Sequence, residues 1–162
     1  MIRTTLLLLC AGLLAACASG PRYDTTGVDP ALTPARAAVA PDTSRGQTVI
    51  WGGVILATSN LKDGTQIEVL GYPLNGSQEP EIGAPAGGRF LAFWPKYLES
   101  MDFAAGRQIT VRGQLEGTRT GQIGESRYIY PQVRAADLWL WPRPGSTADP
   151  QFHVGFGLFL HN

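Results

Sequence analysis

Cys17 is the residue whose type and position in this sequence point most directly to chemistry. It follows a leucine and two alanines (residues 14–16), after a basic residue at Arg3 and an apolar run over residues 6–14. That run is too short to span a bilayer as a helix, which needs about 20 apolar residues. A basic start, a short apolar run and small residues are typical of a secretory signal peptide. We therefore predict export, with a thiol next to the cleavage site.

Residues 14–17 resemble the lipobox of bacterial lipoproteins. The resemblance implies a signal peptide over residues 1–16, cleavage between Ala16 and Cys17, a diacylglyceryl group on the Cys17 thiol and an amide-linked third chain. One acyl chain anchors a protein only marginally, so several chains make the anchor permanent. No Asp directly follows Cys17. By resemblance to lipoprotein sorting in Gram-negative bacteria, this favours the outer membrane. The alternative is an ordinary signal peptide with an incidental cysteine.

The composition argues against several classes of partner and site. The 162 residues carry 13 basic and 13 acidic side chains, a formal net charge of zero, which gives no electrostatic reason to expect nucleic acid. We expect the membrane to be a partner through the lipid on Cys17. The other cysteine, Cys10, leaves with the signal peptide, so no thiol remains for a disulfide, a metal or a nucleophile. No cofactor is predicted beyond the covalent lipid.

Residues 17–46 are predicted to be a lipidated N-terminus and flexible tether. They consist largely of Ala, Pro, Thr and Asp, and the prolines interrupt any helix, including a weak candidate at residues 34–40. A coil of this length spans about 30 Å and stretches to about 100 Å. The remaining residues, 47–162, are then the single folded domain.

The groups that could act in catalysis are few and poorly arranged. Glu79 and Glu81 lie in a loop without the apolar surroundings that would separate their pKa values, so a solvated loop is favoured over an acid–base pair. His153 and His161 would lie about 26 Å apart on a straight strand, so they chelate one metal only if the chain folds back. We predict that the protein is not an enzyme and holds no metal.

Periodicity predicts an all-β domain. The first predicted strand is apolar on both faces and contains Gly52 and Gly53, which suggests a bend or bulge. Residues 97–105 are the best helical candidate. Five strands with a short helix between the third and fourth match a small OB-like antiparallel barrel, although another small antiparallel barrel or a sandwich is also compatible. The predicted strands are residues 49–56, 66–70, 89–93, 109–116 and 127–141.

Fold analogy gives one candidate binding site. OB-folds bind oligosaccharides and oligonucleotides through the loops after strand 1 and between strands 4 and 5. Here those loops, residues 59–65 and 117–127, carry Lys62, Arg119 and Arg127. These cations predict a weak site for a small anionic or saccharide ligand, and a solvated rim explains them equally well.

The aromatic residues near the C-terminal end of the domain have two interpretations. Tyr128 and Tyr130 share one face of the last strand, and Trp139 and Trp141 alternate with leucines. Packing within a small barrel is favoured over a stacking platform for a planar ligand.

The tail, residues 152–161, alternates apolar and other residues. We predict an extra strand on the edge of the domain's sheet, with a protein-docking strand as the alternative.

A set of short fragments occurs in an order that resembles the Slp family of starvation-inducible outer membrane lipoproteins. The match covers about residues 46–141 and departs at residues 142–162. It implies an envelope location but no known reaction or ligand. The fragments are Trp51-Gly52-Gly53-Val54-Ile55, Ile67-Glu68-Val69, Tyr72-Pro73-Leu74, Gly88-Arg89-Phe90-Leu91, Gly106-Arg107, Thr110-Val111 with Gly113, Gly124-Glu125 and Tyr128-Ile129-Tyr130-Pro131.

These observations predict a non-enzymatic lipoprotein on the periplasmic face of the outer membrane. Its expected role is structural or stress-protective in the cell envelope, with an envelope protein as an expected partner. The alternative is a binding module that captures a small anionic or saccharide ligand through the OB-fold loops.

Overall fold

The computed structural model describes residues 20–143 and 153–155. Six strands form one sheet in the order β3-β2-β1-β4-β5-β6, and β3 also pairs with β5. The predicted all-β class is confirmed. The strands are β1 (Thr48–Leu61), β2 (Gly64–Tyr72), β3 (Gly88–Trp94), β4 (Gln108–Ile123), β5 (Ser126–Leu140) and β6 (His153–Gly155).

The pairing of β3 with β5 joins the two ends of a row of five strands. Leu91 of β3 lies opposite Gln132 of β5, and the two strands run parallel. The other strand pairs are antiparallel, so the prediction of a wholly antiparallel arrangement is wrong at this pair. The buried apolar side chains between the strands, among them Ile55, Val69, Phe90 and Val111, form the core.

β1 is the strand shared between two neighbours. It pairs with β4 over Thr48–Val54 and with β2 over Gly52–Leu61. Both neighbours are therefore present at Gly53, where an added Cβ would collide with the Leu70 carbonyl. The predicted bulge lies further along, where the register with β2 shifts between Ile55 and Ala57. The close approach of the β1 and β2 backbones is thus the reason that residue 53 is glycine.

β4 extends beyond its predicted end at residue 116, whereas β5 agrees with its predicted bounds to within one residue. The structure places residues 117–123 within β4, whereas the sequence predicted a loop over 117–127. This part of the ribbon is largely polar and only partly buried, so its side chains give no period-two signal. Pairing with β5, continuous from Gly117 to Ile123, supplies the strand. Gly124, at a φ of 58°, then closes the hairpin in a conformation that favours glycine.

The helix predicted at residues 97–105 is not formed in the described connection between β3 and β4. The Phe103 amide donates to the Glu99 carbonyl, which closes one isolated turn. Leu98 and Phe103 are buried in the core, and the Leu98 amide donates to Thr65 Oγ1 at 3.0 Å. Anchoring at these separate points spreads the segment along the sheet and prevents a regular helix.

The described part of the predicted tether, residues 20–46, is folded against the sheet. It contains two short helices, α1 (Pro34–Val39) and α2 (Pro41–Ser44). The prolines that were expected to break helices stand at their first turns, where a missing N–H costs nothing. Pro34 and Ala37 are buried, and α1 packs against β3 and β5. The prediction of a flexible tether is therefore wrong over residues 20–46.

β6, at the edge of the sheet, lies within the tail in which the sequence predicted an additional edge strand. His153–Gly155 pairs antiparallel with Asp137–Trp139 of β5. The rest of that predicted strand, residue 152 and residues 156–161, lies outside the described residues.

Candidate functional site

An apolar groove separates the N-terminal segment from the outer surface of β1 and β2. Its volume is about 640 Å³, within the range of small-molecule sites, about 300–1,000 Å³. Residues of β1 and β2 form its floor, residues 25–34 form its wall, and residues of the β2–β3 loop form one end. The lining consists of Thr25, Val28, Pro30, Leu32, Thr33, Pro34, Ile50, Trp51, Gly52, Gly71, Tyr72, Pro73, Leu74, Gln78 and Gly87.

The polar groups that line this apolar groove are largely hydrogen-bonded to other groups of the protein. Gln78 Oε1 accepts from the Tyr23 amide and Gln78 Nε2 donates to the Tyr23 carbonyl, both at 3.0 Å. The Thr33 hydroxyl accepts from the Arg36 amide at 3.3 Å and so caps α1. Among the lining residues there is no carboxylate, amine, guanidinium, imidazole or thiol. The groove therefore presents an uncharged, mainly apolar surface to any occupant.

Trp51 positions the wall over the floor. Its ring lies edge-on to Phe90, with centroids 5.2 Å apart, and Trp51 Nε1 donates to the Leu32 carbonyl at 2.7 Å. The indole thus uses its apolar ring in the core and its single donor on the N-terminal segment. This contact explains why a segment with few large apolar side chains is held in place.

Gly20, the first described residue, lies next to Ser77 and close to Trp141. A Cβ added to Gly20 would lie 2.8 Å from Trp141 Cη2 and 3.2 Å from the Ser77 carbonyl. Ser77 directly precedes Gln78, which lines the groove. Cys17 is three residues before Gly20, and three extended residues reach at most about 11 Å. Cys17 itself lies outside the described residues.

Tyr23 is a half-buried residue with a buried hydroxyl that the sequence did not indicate. Burial is the main cause that raises the pKa of its hydroxyl, and the negative charge of Asp137 adds to the effect. Asp137 itself pairs with Arg112 at 3.4 Å. Tyr23 therefore keeps its proton beyond the pH range in which a free tyrosine loses it, and its hydroxyl lies near the charges of Arg112 on β4 and Asp137 on β5.

The predicted ligand-binding cations are separated from the apolar groove. Lys62 is exposed in the turn between β1 and β2, and Arg127 is exposed near the end of the β4–β5 hairpin. Arg119 is on β4, not in a loop, and its Nη1 donates to Gln66 Oε1 at 3.0 Å. None of the three lines the groove. The structure thus places these three cations away from the apolar groove.

The tyrosines of β5 belong to a hydrogen-bonded cluster, not to an open stacking surface. Glu68 Oε1 accepts from Arg89 Nη1 at 2.8 Å and from the Tyr130 hydroxyl at 3.2 Å. The Tyr128 hydroxyl accepts from the Arg89 amide at 2.8 Å, and the two tyrosine rings meet edge-on. The bond to Glu68 raises the pKa of Arg89, and burial raises the pKa of Tyr130. These side chains satisfy one another, which favours a structural role.

The two tryptophans at the end of β5 are also packed inside. Trp139 and Trp141 are buried and lie edge-on, 6.2 Å apart. Trp141 Nε1 donates to Thr110 Oγ1 at 2.9 Å, and that hydroxyl donates to the Gln78 carbonyl at 2.7 Å. The chain Trp141–Thr110–Gln78 connects the sheet to the end of the groove.

The other candidates do not assemble into a site within the described part of the chain. Glu79 is half-buried and Glu81 is exposed in the β2–β3 loop. Cys17, His161 and the side chain of His153 lie outside what the structure describes. Among the described residues, no group of three or more His, Cys, Asp or Glu could hold a metal. The helices in this part of the chain are all too short to cross a membrane.

Comparison with known proteins gives a family match over most of the chain. The profile of the outer membrane lipoprotein Slp family matches residues 14–156. An uncharacterized protein of Haemophilus influenzae is 38% identical over 96 residues, which are 59% of this chain and 52% of that protein. The uncharacterized lipoprotein YeaY of Escherichia coli is 30% identical, over 73% of this chain and 64% of the relative.

One further relative and one solved structure are also similar to this chain. The outer membrane protein Slp of Escherichia coli is 28% identical over 87% of this chain and 76% of its own length. The chain thus spans between about half and three quarters of the curated relatives it matches. A small single-stranded DNA-binding protein from Streptomyces coelicolor has a TM-score of 0.38 at 14% identity, over 62% of this chain and 98% of its own. A similarity this low supports no argument about fold or ligand.

Proposed function

Because the chain belongs to the outer membrane lipoprotein Slp family, we propose that it is a non-enzymatic lipoprotein of the cell envelope, anchored by lipid on Cys17. The observation that carries the proposal is the extent of the family match, which begins at residue 14 and so includes residues 14–17. These are the residues that resemble a lipobox. The protein then faces the periplasm from the outer membrane, in a structural or stress-protective role.

The proposed architecture is an OB-like barrel. Support comes from the cycle of strand pairs, β1 with β2, β2 with β3, β3 with β5, β5 with β4 and β4 with β1. A closed cycle of five strands with one parallel pair has no free edge except where β6 is added to β5. Such a barrel is a rigid body that an envelope lipoprotein can present to a protein partner.

The position of the folded part relative to the membrane follows from the N-terminal segment. With residues 20–46 packed on the sheet, only Ala18 and Ser19 stand between Cys17 and the described body. The barrel is therefore held within about 11 Å of the lipid attachment point, instead of extending on a coil of about 30 Å. This favours a role at the membrane surface.

Lipidation is tested by labelling and fractionation. We expect Cys17→Ala to abolish incorporation of a labelled fatty acid and to leave the protein outside the outer membrane fraction. Cys10→Ala is the matched control, since this thiol lies in the proposed signal peptide and should leave labelling unchanged. A Cys17→Ala protein that is still labelled and still fractionates with the outer membrane would refute the proposal.

The proposed orientation has its own measurement. Protease added to intact cells should leave the protein uncut, whereas protease added after permeabilisation of the outer membrane should degrade it. Cutting in intact cells would place the domain on the outer surface instead.

A further inference from the structure

We propose that the apolar groove holds one acyl chain of the lipid attached to Cys17, an inference that rests on the proposed lipidation. The groove is then an internal site for the protein's own anchor. It would retain one chain while the remaining chains insert into the bilayer.

The first argument is position. Gly20 is packed against Trp141 and Ser77. It lines a depression together with Gln78, and Gln78 is also part of the groove lining. Cys17 is within about 11 Å of Gly20 because only two residues, Ala18 and Ser19, stand between them in the sequence. A ligand attached that close in the chain has a high effective concentration, in about the millimolar range. An acyl chain on Cys17 thus competes strongly with any lipid that must diffuse in.

The second argument is the chemistry of the lining. The groove is walled by Val28, Leu32, Ile50, Trp51 and Leu74, and no ionised side chain is part of it. A cysteine-linked diacylglyceryl group is uncharged where it joins the protein, so it needs no countercharge. A phospholipid brings a phosphate, which is normally bound by Arg or Lys.

Arg22, a cation next to a residue of the groove lining, provides a test of that distinction. Arg22 is exposed and lines a shallow depression beside Gln78, together with Gly20, Tyr23 and Ser77. It could pair with a phosphate from the membrane. Arg22 has no role if the occupant is an acyl chain on Cys17. Removing its charge therefore distinguishes a membrane phospholipid from the lipid on Cys17.

The third argument is what the folded N-terminal segment does. Residues 25–34 form the wall of the groove, and bonds from Trp51 and Gln78 hold this segment in place. An apolar groove of about 640 Å³ that remained empty or water-filled would be unfavourable, because apolar surface is stabilised by contact with apolar atoms. The segment that leads to the lipid is thus also the segment that covers the groove.

Photo-crosslinking in intact cells tests the proposal. The photoreactive residue p-benzoylphenylalanine replaces Tyr72, which is half-buried and lines the groove. The matched control places it at Tyr97, which is 66% exposed and outside the groove. After irradiation, we expect mass spectrometry to find the Tyr72 peptide joined through an acyl chain to the lipopeptide that begins at Cys17. The product should migrate as a monomer, and the Tyr97 variant should not give it.

A charged substitution adds a second readout. Val28→Asp places a carboxylate in the wall and should lower the crosslinking yield about tenfold, because a charge in an apolar site costs at least about 1.4 kcal/mol. Val39→Asp, at a position that is 84% exposed, and Arg22→Gln should leave the yield unchanged.

The outcomes separate the two proposals. Absence of fatty-acid label on the protein would refute lipidation, and the groove proposal with it. A labelled protein whose Tyr72 variant crosslinks to phospholipid, to a second copy or to another protein would refute the groove proposal alone. A labelled protein with no crosslink, or with a yield that Arg22→Gln lowers, would also count against it.

Discussion

At the scale of single residues, the positions that matter most are those where two parts of the backbone come close. Gly53 lies where β1 pairs with both β2 and β4. An added Cβ would collide with the Leu70 carbonyl, which is backbone and cannot rotate away. The requirement for glycine is therefore steric and comes from a neighbouring strand.

We expect Gly53→Ala to lower the free energy of unfolding by about 1–3 kcal/mol through overpacking. Gly76→Ala is the matched control, because nothing lies within 4 Å of its added Cβ, and its effect should stay within about 0.5 kcal/mol. Urea unfolding of the chain without residues 1–17 measures both. Equal stability of the two variants would contradict this account of β1.

The raised pKa of the Tyr23 hydroxyl predicts how stability depends on pH. Burial raises the pKa of its hydroxyl above the ordinary value of 10.0, so above about pH 10 the unfolded chain loses a proton that the folded chain keeps. Stability should then fall as pH rises, by up to about 1.4 kcal/mol per pH unit. Unfolding measured between pH 9 and pH 11 should show a smaller decline for Tyr23→Phe than for the unmodified chain. Parallel declines would exclude Tyr23 as the cause.

At the scale of elements, the N-terminal segment differs most from expectation. α1 is short and alanine-rich, yet it packs against β3 and β5. Its stability comes from that packing and from the Thr33 cap, since isolated helices this short are unstable in water.

Substitutions within α1 separate a packed helix from a tether. Ala37 is 1% exposed and Val39 is 84% exposed, so we expect Ala37→Asp to destabilise the chain by about 2–4 kcal/mol, because it buries a charge. Val39→Asp should have little effect. The midpoint of urea unfolding decides the question, and a flexible tether would tolerate both changes equally.

At the scale of the whole molecule, the closed cycle of strands and the covering segment act as one unit. The β3–β5 pair closes the sheet, and the N-terminal segment covers the outer surface of β1 and β2. Trp141, Thr110 and Gln78 then link the end of β5 to the groove. An anchor on Cys17 would act directly on this unit, since hardly any linker separates them.

Much of this arrangement was predictable from local patterns. Neighbouring residues in the sequence show the apolar run before Cys17 and the alternation of Ile109, Val111 and Leu115. The existence of five strands, the all-β class and the family resemblance follow from such short-range signals. The outer end of β4, residues 117–123, does not, because it is largely polar and its pairing with β5 alone makes it a strand.

The sequence by itself determined where chemistry is expected, namely at Cys17, and which segments have one apolar face. Only the tertiary structure decided that residues 20–46 are packed and that a groove lies beneath them. The reason is physical: these residues contain few apolar side chains and many prolines, so their order depends on partners far along the chain. Trp51 binds the Leu32 carbonyl across 19 positions, and Gln78 binds Tyr23 across 55. No local pattern encodes contacts at such separations.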